Sequence, residues 1–245
     1  MMAAPTMGAG ADQTTVTAAV WSALATVQDP ELDEPLTDLG FVSRHEVTAD
    51  GTAVVRLRLP TYFCAPNFAF LMVADAYDAV NAVPGVALAD IQLEDHFAAD
   101  TINSGVAARA GFVASFEGEA ADELDSLRAD FLRKAVLAGT DRVCRAMVSA
   151  GADPASLGTA TLGDAPQDAE TSRLRSRRRE LGLPCENSDA LLVDPATGTS
   201  VPADQLRRHL GIARVTRVSQ DANSGVCRGM LLARYPSATG KENAG

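Results

Sequence analysis

The sequence predicts an α+β fold, and three observations predict it. Apolar residues recur at helical spacing over 16–27, alternate in strand fashion over 52–59, and return to helical spacing over 68–83. Periods of 3.6 and 2 that follow each other so closely describe helices and a sheet sharing one core. At 245 residues and 47% apolar content, the chain has the material to bury it.

The first helix rests on Val16, Val20, Leu24 and Val27, with Thr14 or Thr15 available as a cap and Pro30 closing the run. Two strands, 41–48 and 52–59, flank Ala49, Asp50 and Gly51. In the second strand Ala53, Val55, Leu57 and Leu59 alternate with Val54, Arg56 and Arg58, which makes the pair a hairpin. Pro66 then suits a first helical turn, and Phe68, Leu71, Met72, Ala76, Ala79 and Val83 give one apolar face that stops at Pro84 and Gly85. Residues 86–94 read as a third strand with Ile91 and Leu93 on one side. The result is a small α-β-β-α-β domain over 14–98, preceded by an Ala- and Gly-rich tail over 1–13 expected to be disordered.

Residues 99–168 read as a helical segment and linker. Leu124, Leu127, Phe131 and Val136 support a pair of helices over 120–150 that pauses at Gly139 and Thr140, and 152–168 collects Gly, Pro, Asp and Thr as a linker or long loop. Residues 169–245 read as a small α+β C-terminal region, with a short helix over 203–210 and two strands, 212–219 and 226–235, joined across 221–225. Arg173, Arg175, Arg177, Arg178 and Arg179 form a local cationic cluster, read either as a solvated helix face or as a seat for carboxylates.

Charge and motif content narrow the function classes. Acidic residues outnumber basic ones 32 to 21, and the net charge of −11 argues against nucleic acid or anionic lipid as partner. No run approaches the roughly 20 apolar residues of a membrane helix, and the start lacks a secretory layout, so a cytoplasmic protein is expected. The four cysteines are scattered without a CxxC pair, which predicts reduced thiols. Gly-rich phosphate loops, a Gly-x-Ser-x-Gly elbow and HExxH are all missing from the sequence, leaving nucleotide hydrolysis and hydrolase chemistry without support.

The informative stretch for chemistry runs from Leu59 through Pro60, Thr61, Tyr62, Phe63 and Cys64 to Pro66. It places a thiol where a strand gives way to a helix, where unpaired amides and the helix dipole favour negative charge and hence metal ligation. The bland reading is a small packed hydrophobe. A second stretch, 29–40, packs Asp29, Glu31, Asp33, Glu34 and Asp38 into one loop, offering ligands or a docking surface. Its bland reading has Asp29 bracing the turn, Asp38 capping amides and Gly40 at positive φ. His96 is a candidate metal ligand, against a solvated imidazole at a strand end. Cys144 lies on a helical pattern as a core thiol, Cys185 follows Pro184 in a turn, and Cys227 falls on an expected strand.

Taken in order, Val20 to Val27 with Asp29, Pro30 and Glu31, then 38–42, then Pro60, Thr61, Tyr62 and Cys64, then Pro84, Gly85 and Val86 resemble the iron-sulfur cluster assembly domain of the SufT and PaaD type over about 15–95. The resemblance implies a metallocofactor maturation factor and not an enzyme. Cys64 matches the family's reactive cysteine, and Asp29, Glu31, Asp38 and Thr61 match its other motif positions. It implies a transient iron-sulfur cluster or iron, none required for folding, and a client metalloprotein as partner. Likeness to the PaaD branch makes that client an oxygenase subunit of a di-iron system; since one cysteine per chain fills too few coordination sites, a homodimer is expected to supply a second thiolate. The competing reading is a metal-free assembly chaperone or docking module for oxygenase subunits. Phe63 and Ala65 flank the cysteine where the family often has Gly or Pro, and the cysteine-rich ribbon that ends PaaD-like proteins has no counterpart around Cys185 and Cys227.

Overall fold

The computed structural model describes residues 12–118 and 124–236. The chain divides into two compact units: of the described residues, the first holds 12–29, 34–118 and 227–236, and the second holds 30–33 and 124–226. The tail expected over 1–13 lies, for residues 1–11, outside the described residues.

The first unit has the element order that the periodicities predict. Helix α1 (Gln13–Leu24) starts just ahead of the expected threonine cap and buries Val16, Val20 and Leu24. A single turn, α2 (Leu36–Leu39), ends at Gly40, whose φ of 75° is the left-handed closure foreseen for it. Strands β1 (Val42–Val47) and β2 (Thr52–Arg58) pair antiparallel, with Val47 opposite Ala53 and Gly51 turning the chain at φ 84°. Helix α3 (Pro66–Asn81) then crosses over, with proline in its first turn, burying Phe70, Leu71, Val73, Ala76 and Val80. Strand β3 (Leu88–Glu94) returns parallel to β2, in register from Thr52 opposite Leu88 to Arg58 opposite Glu94. The sheet order is β1-β2-β3.

Two helices follow that the sequence reading did not single out, α4 (Ala99–Ala107) and α5 (Phe112–Ser115). Asn103 of α4 accepts from the Leu93 amide at 2.8 Å and donates to the Leu93 carbonyl at 3.0 Å, closing the free edge of β3 against further strand pairing.

The second unit departs from expectation in three places. The predicted helix pair is one helix, α6 (Asp125–Ser149). Gly139 does not interrupt it: it is buried, with Leu174 packed beside it at ordinary contact range, 3.4 Å from an added Cβ, and Thr140 turns its hydroxyl back to the Val136 carbonyl at 2.7 Å. The predicted linker over 152–168 is a packed loop: it contains a 3-10 turn (Pro154–Gly158), and Leu157, Leu162 and Ala165 join Val136, Val143, Leu174 and Leu191 in one core. The two strands expected over 212–219 and 226–235 are turns of one long helix, α8 (Leu206–Arg234), whose residues to 226 belong to the second unit and the rest to the first. Valine and threonine in this stretch favour strands locally, but burial of Ala213, Gln220, Ser224 and Leu231 follows a helical repeat, and packing prevails over propensity.

Helix α7 (Ala169–Glu180) carries the arginine cluster, capped by Asp168, whose carboxylate accepts from the Thr171 amide at 2.9 Å. Two of these arginines are not solvated. Arg177 meets Asp33 at 2.5 Å and Glu180 at 2.6 Å. Arg178 is fully buried and donates to the carbonyls of Ala190 at 2.9 Å and of Leu191, so it organises the loop after α7. Arg177 thus seats carboxylates of the chain itself, whereas Arg178 serves backbone carbonyls.

Candidate functional site at the carboxyl ends of two parallel strands

Because β2 and β3 run parallel, the loops that leave them emerge at the same edge of the sheet, the place where side chains of open α/β sheets gather around ligands. The loop after β2 carries Thr61 to Cys64 into α3, and the loop after β3 carries Asp95, His96 and Phe97 into α4. The loops are tied at two points. The Phe97 amide donates to the Tyr62 carbonyl at 3.2 Å, and His96 Nε2 lies 2.7 Å from the Cys64 carbonyl. The Ala98 amide donates to His96 Nδ1 at 3.2 Å, so Nδ1 is the acceptor and the proton sits on Nε2, donating to Cys64. His96 is 5% exposed, and burial, above all, pushes its imidazole below the ordinary value of 6.5. The solvated imidazole expected for this position is therefore a buried, neutral one, with Nε2 engaged on the cysteine loop and Nδ1 on the turn into α4.

Cys64 is half-buried, one residue ahead of Ala65, the N-cap of α3. Its sulfur lies 3.3 Å from Thr61 Oγ1, and that oxygen accepts from the Phe63 amide at 3.2 Å. With the oxygen engaged by an amide, the threonine proton is available to the sulfur. The neighbouring side chains are apolar and open to solvent. Tyr62, Phe63 and Phe97 are 44%, 76% and 50% exposed, with ring centroids 5.0 to 6.3 Å apart. Exposed aromatics grouped in this way mark a contact surface. The sequence shows the first two beside the cysteine; Phe97 joins them only through the parallel register.

The acidic loop has partners of its own in each unit. Asp29 is buried, and its amide closes on the Glu34 carbonyl at 2.9 Å. In the first unit Arg228 of α8 donates to the Glu34 carboxylate and to the Asp38 carbonyl. In the second unit the Glu31 carboxylate accepts from Asn223 at 3.2 Å and Asp33, at φ 54°, meets Arg177. Among the described residues, no group of three or more His, Cys, Asp or Glu side chains is placed to hold a metal ion. Of the other cysteines, Cys144 is buried in the core of the second unit, where burial pushes its thiol up to about 12, and Cys185 and Cys227 are half-buried.

The fold and this site define a small α+β domain that presents one thiol at a helix mouth beside an aromatic surface. Residues 17–92, about a third of the 245-residue chain, match the family model described as iron-sulfur cluster assembly protein, and the N-terminal domain is therefore of that family. No curated protein and no solved structure matches the chain. No helix among the described residues is long and apolar enough to cross a membrane.

Proposed function

We propose that this chain is a cytoplasmic maturation factor that takes iron or an iron-sulfur cluster as cargo on Cys64 and passes it to a client metalloprotein. The observation that carries the reading is a half-buried cysteine, its sulfur beside the Thr61 hydroxyl, on a loop that carries exposed aromatics, within a domain of the assembly family. A thiolate is the ligand that iron and its clusters take. One cysteine supplies one of about four positions around a tetrahedral iron. The remainder come from a second copy of the chain, from the client, or from sulfide of the cargo itself. Sharing ligands in this way suits a carrier, since a site that is incomplete alone releases its cargo.

In this reading Thr61 orients the sulfur, and His96 fixes the loop through the Cys64 carbonyl. Asp29, Glu31 and Asp38 shape the connector between α1 and β1. Tyr62, Phe63 and Phe97 form the client face. Through its likeness to the PaaD branch, the client named by this reading is a subunit of a multicomponent di-iron oxygenase.

Anaerobic purification or reconstitution tests the proposal. The wild-type chain should carry iron with a cluster chromophore, and Cys64→Ser should lose it; a variant that keeps the full chromophore removes Cys64 from the site. The exposed aromatic surface also favours a second reading, a metal-free docking module for oxygenase subunits. Co-expression with a client separates the two, because Cys64→Ala then leaves both client binding and client metal content intact.

A further inference from the structure

The family match ends at residue 92, yet the groups that clasp the two site loops come from beyond it. Where α8 ends, Arg234 donates to the Leu59 carbonyl at 3.1 Å and to the Asp95 carbonyl at 2.6 Å, and meets the Asp95 carboxylate at 2.6 Å. Tyr235 donates its hydroxyl to the same carboxylate at 2.8 Å, and the Arg58 guanidinium lies 4.7 Å over its ring. Leu59 opens the cysteine loop and Asp95 opens the histidine loop, so a single guanidinium bridges the exits of both parallel strands.

Asp95 is held at φ 54°, a conformation that side chains other than glycine adopt at a cost. It directly precedes His96, whose Nε2 proton goes to the Cys64 carbonyl, and Phe97, whose amide goes to Tyr62. We propose that Arg234 and Tyr235 are positioning residues that latch the Asp95 turn to the Leu59 carbonyl and thereby set how the Cys64 sulfur and the neighbouring aromatic rings are presented. The inference rests on Cys64 being the working group of the domain.

The magnitudes separate a latch from a general brace. The Asp95 side chain is 52% exposed, so solvent screens its ion pair and leaves it little weight in global stability. Local opening of two loops is the equilibrium it controls. Asp95 also permits a discriminating substitution. Glycine accepts positive φ freely, so Asp95→Gly relieves the backbone while removing the carboxylate latch.

Site-resolved alkylation of the full-length, iron-free chain, read by mass spectrometry of the Cys64 peptide, tests the latch, with the Cys185 peptide as internal reference. Arg234→Gln and Asp95→Gly should each change the Cys64 rate by roughly fivefold or more toward faster modification, the effect of a modest shift in a local opening equilibrium. Asp95→Gly should do so without lowering the melting temperature. The double variant should react about as fast as Arg234→Gln alone, because the Asp95 carboxylate acts chiefly through Arg234, whose bonds to the two carbonyls Asp95→Gly leaves in place. Tyr235→Phe should give a smaller rise, and Arg234→Lys should restore part of the slow rate. Unchanged Cys64 rates in folded Asp95→Gly and Tyr235→Phe overturn the carboxylate half of the latch, and an unchanged rate in folded Arg234→Gln overturns the whole. If the rates respond but Cys64→Ser still carries the chromophore, the latch stands and the carrier reading falls.

Discussion

At the residue scale, Asp33 and Arg177 show what is decided by partners far apart in sequence. Both are almost fully buried, at 5% and 9% exposed, and burial pushes the Asp33 carboxyl up while Arg177 pulls it back. Removing the carboxylate leaves a buried guanidinium with only the half-exposed Glu180. Asp33→Ala should therefore cost about 2 kcal/mol, somewhat below a fully uncompensated pair, and chemical denaturation of the purified variant measures it. Cys144, with its thiol pushed up to about 12 by burial, should resist alkylation at neutral pH while Cys64 reacts, and peptide mapping after brief labelling checks the order. Cys64 was legible because its strand, turn and helix mouth are contiguous. The roles of His96, Arg234 and Asp33 were not, since each is defined by a contact made through tertiary packing: His96 to Cys64, Arg234 to Asp95, Arg177 to Asp33.

At the element scale, the first unit was readable because each element has a clean period and a punctuating residue: Pro66 opens α3, Gly40 and Gly51 turn the chain, and the β2 alternation puts Val55 and Leu57 inside. Helix α8 was misread because Val215, Thr216 and Val218, then Val226, resemble two strands, while Asp221 to Gly225 resembles a turn. A hairpin would accept proline at Ala222, in the expected turn; a continuous helix would not. Ala222→Pro should thus destabilise the protein by about 3 kcal/mol and reduce its helical circular dichroism. Tolerance of proline there would restore the hairpin. In α6, Gly139 looked like a break for a related reason. A glycine that ends a helix and one buried within it beside a packed neighbour, here Leu174, are the same letter until packing is known.

At the scale of the whole molecule, the charge of −11 sits in a fold that spends many of its arginines on its own carboxylates and carbonyls, among them Arg56, Arg177, Arg217 and Arg234. Burial lowers His45 and His209 below 6.5, and His209 Nε2 is buried without a hydrogen-bond partner among the described residues. A histidine lowered in the folded state contributes stability that is present above 6.5 and lost as pH falls through its lowered value. The urea midpoint should accordingly fall between neutral pH and mildly acidic pH, and His209→Gln should flatten that slope. The most direct measurement of the central claim is transfer of cargo. The reconstituted chain is mixed anaerobically with an iron-free acceptor protein, and the acceptor's cluster spectrum is followed over time. Wild type should fill the acceptor and Cys64→Ser should not; equal transfer by both would contradict the account.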